Sequence, residues 1–80
     1  MTSRKEKRRR VAWEVKFKEH KDVTMTALGA YKSKVTVTIV TDKDELYVMP
    51  GYPIRFDDPD ELQAGVILIP WDRVRDIRIG

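Results

Sequence analysis

Strands are the elements that the hydrophobic pattern of this chain predicts most often. The clearest is Val35–Thr41, which is β-branched throughout and places Val35, Val37 and Ile39 on one face. Apolar and polar residues also alternate with a period of two in Val11–Lys18, which is typical of a half-buried strand. We interpret this second stretch as the first strand, although its Lys, Glu and Ala residues would also suit a helix.

Shorter strands are predicted in the rest of the chain, separated by turn residues. The stretch that starts at Val23 loses its alternation near Gly29, where the strand ends or bulges. Pro53 favours an edge position for the strand that follows it, because proline cannot donate to a ladder. The shorter predicted strands are Val23–Tyr31, Leu46–Met49, Val66–Pro70 and Arg73–Ile79, with Ile54–Phe56 as a further candidate for a short edge strand.

One short helical turn is predicted near residues 59–64. Asp58 is a suitable N-cap, Pro59 suits the first helical position, and Glu61 has the spacing of a capping-box partner. Gly65 would then be the glycine just past the helix end. With five to six short strands and at most this one helical turn, the chain is predicted to be all-β, and a small barrel would cover its sheet edges.

The segment Gly65–Ile79, GVILIPWDRVRDIRI, resembles the closing part of SH3-like and Sm-like small β-barrels. Pro70 ends a strand and Val74 follows four residues later, the spacing at which such barrels have one 3₁₀ turn and then their last strand. The segment is also similar to the ending of a small family thought to handle RNA ends, with Asp72 where that family has a histidine. The resemblance implies a five- to six-stranded SH3-like or Sm-like barrel and identifies no functional residue.

The charge of the chain is concentrated at its N-terminus. Residues 1–10 hold six Lys/Arg and one Glu, a net charge of +5, whereas residues 11–80 hold ten Lys/Arg and twelve Asp/Glu, a net charge of −2. We therefore predict a flexible basic N-terminal arm at residues 1–10 and a small β-barrel domain at residues 11–80. The overall charge of +3 does not make the domain itself a broad nucleic-acid surface.

Phosphate binding through the arm is the first functional hypothesis, because clustered Lys and Arg side chains neutralise phosphates and release counterions. Lysines of the domain would extend the contact, and Tyr31 is the best candidate for stacking on a base. The predicted nucleic-acid-binding residues are Arg4, Lys5, Lys7, Arg8, Arg9, Arg10, Lys16, Lys18, Tyr31, Lys32 and Lys34.

Other candidate sites have simpler structural explanations. Arg73 and Arg75 share a strand face and could bind phosphate, but pairing with nearby acids is favoured because the C-terminal half is net acidic. The acidic residues at 57–61 lack the spacing of a calcium loop, and capping accounts for them. The chain has no Cys and one His, so we expect no metal site, no cofactor and no enzymatic activity.

The second functional hypothesis is a protein-interaction module or small regulator that docks its acidic C-terminal half, or a sheet edge, on a larger partner. A homodimer through an edge strand is a related expectation. The longest apolar run, Val66–Ile69, is far shorter than the roughly 20 residues that a membrane span requires, so no membrane partner is expected. The lack of cysteine fits a cytoplasmic protein.

Overall fold

The computed structural model describes residues 4–80, with side chains from Arg8 onward; residues 1–3 of the predicted arm lie outside the described part. This part of the chain forms one α-helix, eight short strands and one 3₁₀ turn. In chain order they are α1 (Arg4–Glu19), β1 (Val23–Met25), β2 (Tyr31–Ser33), β3 (Val37–Thr41), β4 (Glu45–Val48), β5 (Ile54–Arg55), β6 (Glu61–Ala64), β7 (Ile67–Pro70), the 3₁₀ turn (Trp71–Arg73) and β8 (Val74–Ile79).

The strands form two antiparallel sheets, so the all-β prediction is confirmed only as a mostly β protein, with eight strands instead of five to six and one α-helix. One sheet has the order β1-β2-β5-β6-β7 and the other the order β4-β3-β8. Within residues 4–80, the strand pairing does not join the two sheets into a closed barrel. The strand β3 holds the second sheet together, since it pairs with β4 from Val37 to Val40 and with β8 from Val37 to Thr41.

The prediction of a strand at Val11–Lys18 is wrong, because these residues belong to α1. A helix places residues four apart on the same face. Trp13 and Phe17 therefore both face the body, where Phe17 is fully buried and Trp13 packs partly against the core. Val11 and Val15 lie on another face and are 48% and 45% exposed. The apparent alternation is thus two pairs of residues at helical spacing.

The same helix contains Arg4 to Arg10, so no element boundary falls at residue 10. The predicted division of the chain into an arm and a domain at that residue stays a prediction. The helix bounds do show that the basic segment and the buried residue Phe17 belong to one element. The position of residues 4–10 relative to the body therefore depends on the packing of α1 through Phe17.

The predicted helical turn at residues 59–64 is also wrong, because residues 61–64 form β6. The capping signal is real: the Asp58 carboxylate accepts hydrogen bonds from the backbone N–H of Asp60 and of Glu61, at 2.7 and 3.3 Å. The same geometry also closes an Asx turn. Leu62 and Ala64 then alternate inward and are buried, and this burial favours the strand.

Gly65 and Val66 form a two-residue turn between β6 and β7, whose pairing places Ala64 opposite Ile67. Gly65 has φ +61°, as a type II′ hairpin requires at its first central residue. The strand β5 lies between β2 and β6 rather than at a sheet edge, so the edge position predicted after Pro53 is wrong. Proline is tolerated there because it precedes the first paired residue, Ile54.

An aromatic cluster joins the helix to the five-stranded sheet and to the 3₁₀ turn. Phe17 packs against Phe56 with ring centroids 5.0 Å apart and against the edge of Tyr31 at 6.3 Å. Trp13 of α1 stacks on Trp71 of the 3₁₀ turn at 6.1 Å with an angle of 17° between the ring planes. The indole of Trp71 also donates to the Asp58 carbonyl at 2.8 Å. These contacts make α1 part of the folded body from Trp13 onward.

Candidate nucleic-acid interface

The predicted basic residues of the N-terminus lie in one helix. Arg4, Lys5 and Lys7 are in its first turns, where the backbone is helical. Including Lys16 and Lys18 near the other end, α1 holds eight Lys/Arg against three Glu, a net charge of +5, and residues 20–80 carry −2. The helix is thus the positively charged element of a slightly acidic body.

Lys16 and Lys18 are favourably placed in the last turn, because cations stabilise the negative end of a helix dipole. The cations of the first turns are at the opposite end, where the dipole is positive and favours anions instead. Backbone N–H groups of a first turn have no partner within the helix. A phosphate near the first turns of α1 would therefore reduce the repulsion between the dipole and these cations.

Two of the predicted cations already hold the helix on the body. Arg10 donates from Nη1 to the Asp58 carbonyl at 3.3 Å, and Lys16 donates from Nζ to the Ile77 carbonyl at 2.9 Å. Arg8 and Lys18 are exposed and Arg9 is half-buried. Among the described side chains, none of the α1 cations forms an ion pair with a carboxylate. Their charge is therefore not cancelled by a described acid at close range.

Tyr31 cannot act as the stacking surface predicted for it, because its side chain is only 4% exposed. Its ring lies edge-on to Phe17 and to Phe56, at centroid distances of 6.3 and 5.6 Å. Burial, and then the negative charge of Glu14, raise the pKa of the Tyr31 hydroxyl. The sequence suggested exposure because Tyr31 is next to Lys32, but in a strand neighbouring side chains point to opposite faces.

Lys32 and Lys34 remain available at the surface. Lys32 lies on β2 opposite Thr24 of β1, the strand that α1 contacts. Lys34 follows the end of β2, and its backbone N–H donates to the Asp22 carbonyl at 2.8 Å. Both side chains are exposed. Lys32 points to the opposite face of β2 from Tyr31, whose ring contacts Phe17 of α1, so the structure does not bring Lys32 together with the cations of the helix.

Two of the three C-terminal arginines, Arg73 and Arg78, are paired with aspartates, whereas the pairing with an acid that the sequence favoured for Arg75 is not seen. Arg73 Nε lies 3.2 Å from Asp42 Oδ1, and Arg78 Nε lies 3.2 Å from Asp76 Oδ2. Arg75 donates to the Asp72 carbonyl at 2.7 Å. The hydrogen bond and charge of Arg73 lower the pKa of the Asp42 carboxyl. This end of the molecule therefore presents alternating charges rather than a positive surface.

The acidic segment at residues 57–61 serves the local structure. The Asp58 carboxylate accepts backbone N–H groups, and Asp57 lies 3.6 Å from Arg55. Among the described residues, no group of three or more histidine or acidic side chains is arranged to hold a metal ion. His20 Nδ1 accepts the backbone N–H of Asp22 at 3.1 Å, which closes the turn after α1.

The structure also contains an apolar cleft of about 320 Å³, which the sequence pattern did not predict. It is lined by Tyr47, Val48, Met49, Tyr52 and the hairpin turn of residues 64–67. Tyr47 and Tyr52 are 63% and 57% exposed, and Val66 at the tip of the turn is 97% exposed. The only signal in the sequence was the apolar character of these separate positions, because they come together only when the two sheets pack against each other.

Comparisons of the chain with protein families, curated proteins and solved structures find no match. No helix within residues 4–80 has the length and apolar character to cross a membrane. The class of protein is thus defined by the fold itself. It is a small, mostly β protein with two antiparallel sheets and one basic helix packed against them.

Proposed function

We propose that the protein binds nucleic acid without catalysing a reaction, by contacting phosphates with the cations of α1. The observation that carries the proposal is the net charge of +5 on one helix whose described cations have no carboxylate partner. Arg8 and Lys18 are the strongest candidates for direct contact, because they are exposed and donate to no described group. Binding of this kind is electrostatic and reads little sequence.

The remaining predicted residues have graded roles in this proposal. Arg4, Lys5, Lys7 and Arg9 add to the positive potential of the helix. Lys32 on β2 and Lys34 just after it are exposed, and they would contact a nucleic acid only where it extends past the helix. Arg10 and Lys16 mainly attach the helix, since both already donate to carbonyls of the body.

A salt titration tests the proposal. Binding of a mixed-sequence single-stranded oligonucleotide, as DNA and as RNA, is measured by fluorescence anisotropy at several salt concentrations, starting near 50 mM. The α1 variant combines Arg8→Gln, Arg9→Gln and Lys18→Gln. If all three cations contact phosphates, the slope of log K against log salt becomes less steep by about 2 to 3. Substitution is cleaner than truncation at Val11, which would also remove the Arg10 contact with Asp58.

The matched control removes three charges elsewhere, with Lys43→Gln, Arg75→Gln and Arg78→Gln. Both variants lower the net charge by the same amount, so only the position of the charge differs. We expect the control to keep the slope of the unmodified protein. Equal losses in the two variants, or no binding near 50 mM salt, would reject α1 as a nucleic-acid contact.

A second candidate function, protein interaction through a sheet edge, has separate support. The outer edge of β4 borders the exposed apolar cleft, and surfaces of this kind commonly mark interaction sites. The predicted docking through the acidic C-terminal half has weaker support, because Asp42 and Asp76 are already paired with arginines.

We also propose that the two sheets correspond to an SH3-like or Sm-like barrel. Pro70 ends β7, the 3₁₀ turn Trp71–Arg73 follows, and Val74 opens β8, which is the arrangement that the resemblance implies. Only three residues separate β2 from β3, so the chain passes directly from one sheet to the other. An experimental structure, superposed on such barrels, would test this assignment. The cytoplasmic location and the lack of enzymatic activity stay predictions from the sequence.

A further inference from the structure

The apolar cleft lies between two sheet edges. The strand β4 is outermost in its sheet and pairs only with β3 among the described residues. The strand β7 is outermost in the other sheet and pairs only with β6. Tyr47 and Val48 of β4 line one side of the cleft, and Ile67 at the start of β7 lines the other. The cleft therefore exposes unpaired strand backbone together with apolar side chains.

The side chains of β4 alternate cleanly between the two faces of its sheet. Leu46 and Val48 lie opposite Ile39 and Val37, which are fully buried, so they point inward. Tyr47 lies opposite Thr38 and points outward with 63% of its surface exposed. Exposed, apolar edge strands are prone to pair with another chain, and natural proteins usually cover or charge them. The edge of β4 carries one charged residue, Glu45, at its beginning.

The apolar surface around the cleft is large for a chain of 80 residues. Tyr47 and Tyr52 together expose roughly 200–300 Å². Three more side chains that line the cleft, each 48% to 97% exposed, add roughly 120–240 Å²; they are Met49, Val66 and Ile67. Two such surfaces facing each other would bury roughly 650–1,100 Å² from these side chains, which approaches the area of about 1,000 Å² that a specific interface needs.

A second copy of the chain fits this edge. If a two-fold axis passes beside Tyr47, β4 pairs antiparallel with β4 of the second copy, and Tyr47 lies opposite its own equivalent. Leu46 then lies opposite Val48 of the second copy, so inward residues meet inward residues on both sides of the axis. Glu45 lies opposite Met49 rather than opposite another carboxylate, so no like charges face each other.

We propose that the protein forms a two-fold symmetric dimer through β4, with the apolar cleft closed by the second copy. The two three-stranded sheets become one six-stranded sheet in the order β8-β3-β4-β4-β3-β8. Pairing satisfies the outer backbone groups of β4, and Tyr47, Met49 and Val66 become buried. The proposal depends on the cleft and not on the cations of α1, so it does not depend on nucleic-acid binding.

Disulfide trapping is a direct test, because the chain has no cysteine of its own. Opposed residues in an antiparallel pair have Cα atoms about 4.5–5.5 Å apart, within the range of a disulfide. Tyr47→Cys should therefore give a covalent dimer in a buffer of oxidised glutathione. Glu45→Cys is the register control, because its equivalent would lie four residues away along the strands, about 13 Å. Leu28→Cys, at a 79% exposed position off the cleft, measures random collision.

We expect Tyr47→Cys to cross-link at least about tenfold faster than either control. Rates within threefold for all three variants, or fastest cross-linking at residue 28, would overturn the proposal. Sedimentation velocity of the unmodified chain between about 1 µM and 1 mM gives a second measurement. A dimer should appear in this range and weaken at least about tenfold in Val66→Asp and Tyr47→Lys, but not in Leu28→Asp.

Each variant is first checked by urea denaturation, so that loss of the dimer is separated from loss of the fold. The substituted side chains are exposed, and we expect all of these variants to stay folded. A chain that is monomeric at every concentration would overturn the proposal and leave the cleft to a different protein. A dimer that withstands both cleft variants would place the interface elsewhere and would overturn it equally.

Discussion

Basic residues are clustered both in α1 and in the segment Trp71–Ile79, which holds three arginines, but their surroundings differ. In β8 and the turn before it, two of the three arginines lie 3.2 Å from an aspartate. In α1, the described cations contact carbonyl groups or no described group at all. A run of arginines in a sequence therefore says little about surface potential until its acidic neighbours in space are known. The difference supports phosphate binding by the helix and not by the strand.

Phe17→Ala should have the largest effect on the stability of the protein. It also tests the comparison above, which depends on α1 being attached to the body. Phe17 is fully buried and contacts Phe56 and Tyr31. We expect a loss of about 3–5 kcal/mol in the free energy of unfolding, measured by urea denaturation. Val15→Ala on the exposed face should change the stability by less than about 0.5 kcal/mol. Equal effects of the two substitutions would mean that the helix does not pack as described.

Trp71→Phe should have the next largest effect, because Trp71 lies between the two regions. It stacks on Trp13 of α1 and precedes β8, and its indole donates to the Asp58 carbonyl at 2.8 Å. Losing that hydrogen bond and part of the ring should cost about 1–2 kcal/mol in thermal or urea unfolding.

Trp13→Phe is the control for this substitution. It removes a similar ring area from the same stack, but no group among the described residues accepts a hydrogen bond from the Trp13 indole. We expect a smaller loss of stability than in Trp71→Phe. A larger loss in Trp13→Phe would show that ring packing, rather than the hydrogen bond, dominates this contact.

Lys16→Met removes a hydrogen bond between α1 and β8, from Lys16 Nζ to the Ile77 carbonyl at 2.9 Å. We expect a loss of about 1 kcal/mol or less in the free energy of unfolding, because the lysine side chain is exposed. Lys18→Met removes the same charge without a described hydrogen bond and should be closer to neutral. If Lys18→Met were the more damaging of the two, Lys16 would have no special structural role.

The smallest expected effect concerns pH. Arg73 lowers the pKa of the Asp42 carboxyl, so this carboxyl contributes stability above its unfolded-state pKa, and the contribution is lost as the pH falls through the lower folded-state pKa. Because Asp42 is exposed, the change in stability should be small. Nuclear magnetic resonance titration of the carboxyl carbon is the more sensitive measurement. Arg73→Gln should raise the pKa of Asp42, whereas Lys43→Gln should leave most of the lowering in place.

The strands were largely predictable because burial on one face leaves a period of two. Val37 and Ile39 are buried in β3 as the pattern of Val35–Thr41 indicates. The helix was missed because its apolar residues also satisfy that period, and only packing shows that Val11 and Val15 stay exposed. At Asp58, one local signal served either a helix cap or an Asx turn, and the burial of Leu62 decided between them.

The candidate sites were predictable only in part. The basic residues of α1 were evident because they are adjacent in the sequence. That the described ones form no ion pair with a carboxylate is known only from the fold. Tyr31 was wrongly expected at the surface, because exposure depends on which face of β2 packs against Phe17. The cleft was not predictable, since Tyr47 and Val66 belong to different sheets and line one cleft only because the two sheets pack together.

The stack of Trp13 on Trp71 has a practical consequence. These are the only two tryptophans of the chain, and they lie on the two sides of the contact between α1 and the 3₁₀ turn. The intrinsic tryptophan emission of the protein therefore reports on the seating of the helix, without any added dye. A ligand that pulls α1 away from the body should shift this emission to longer wavelength, and one that binds the seated helix should not.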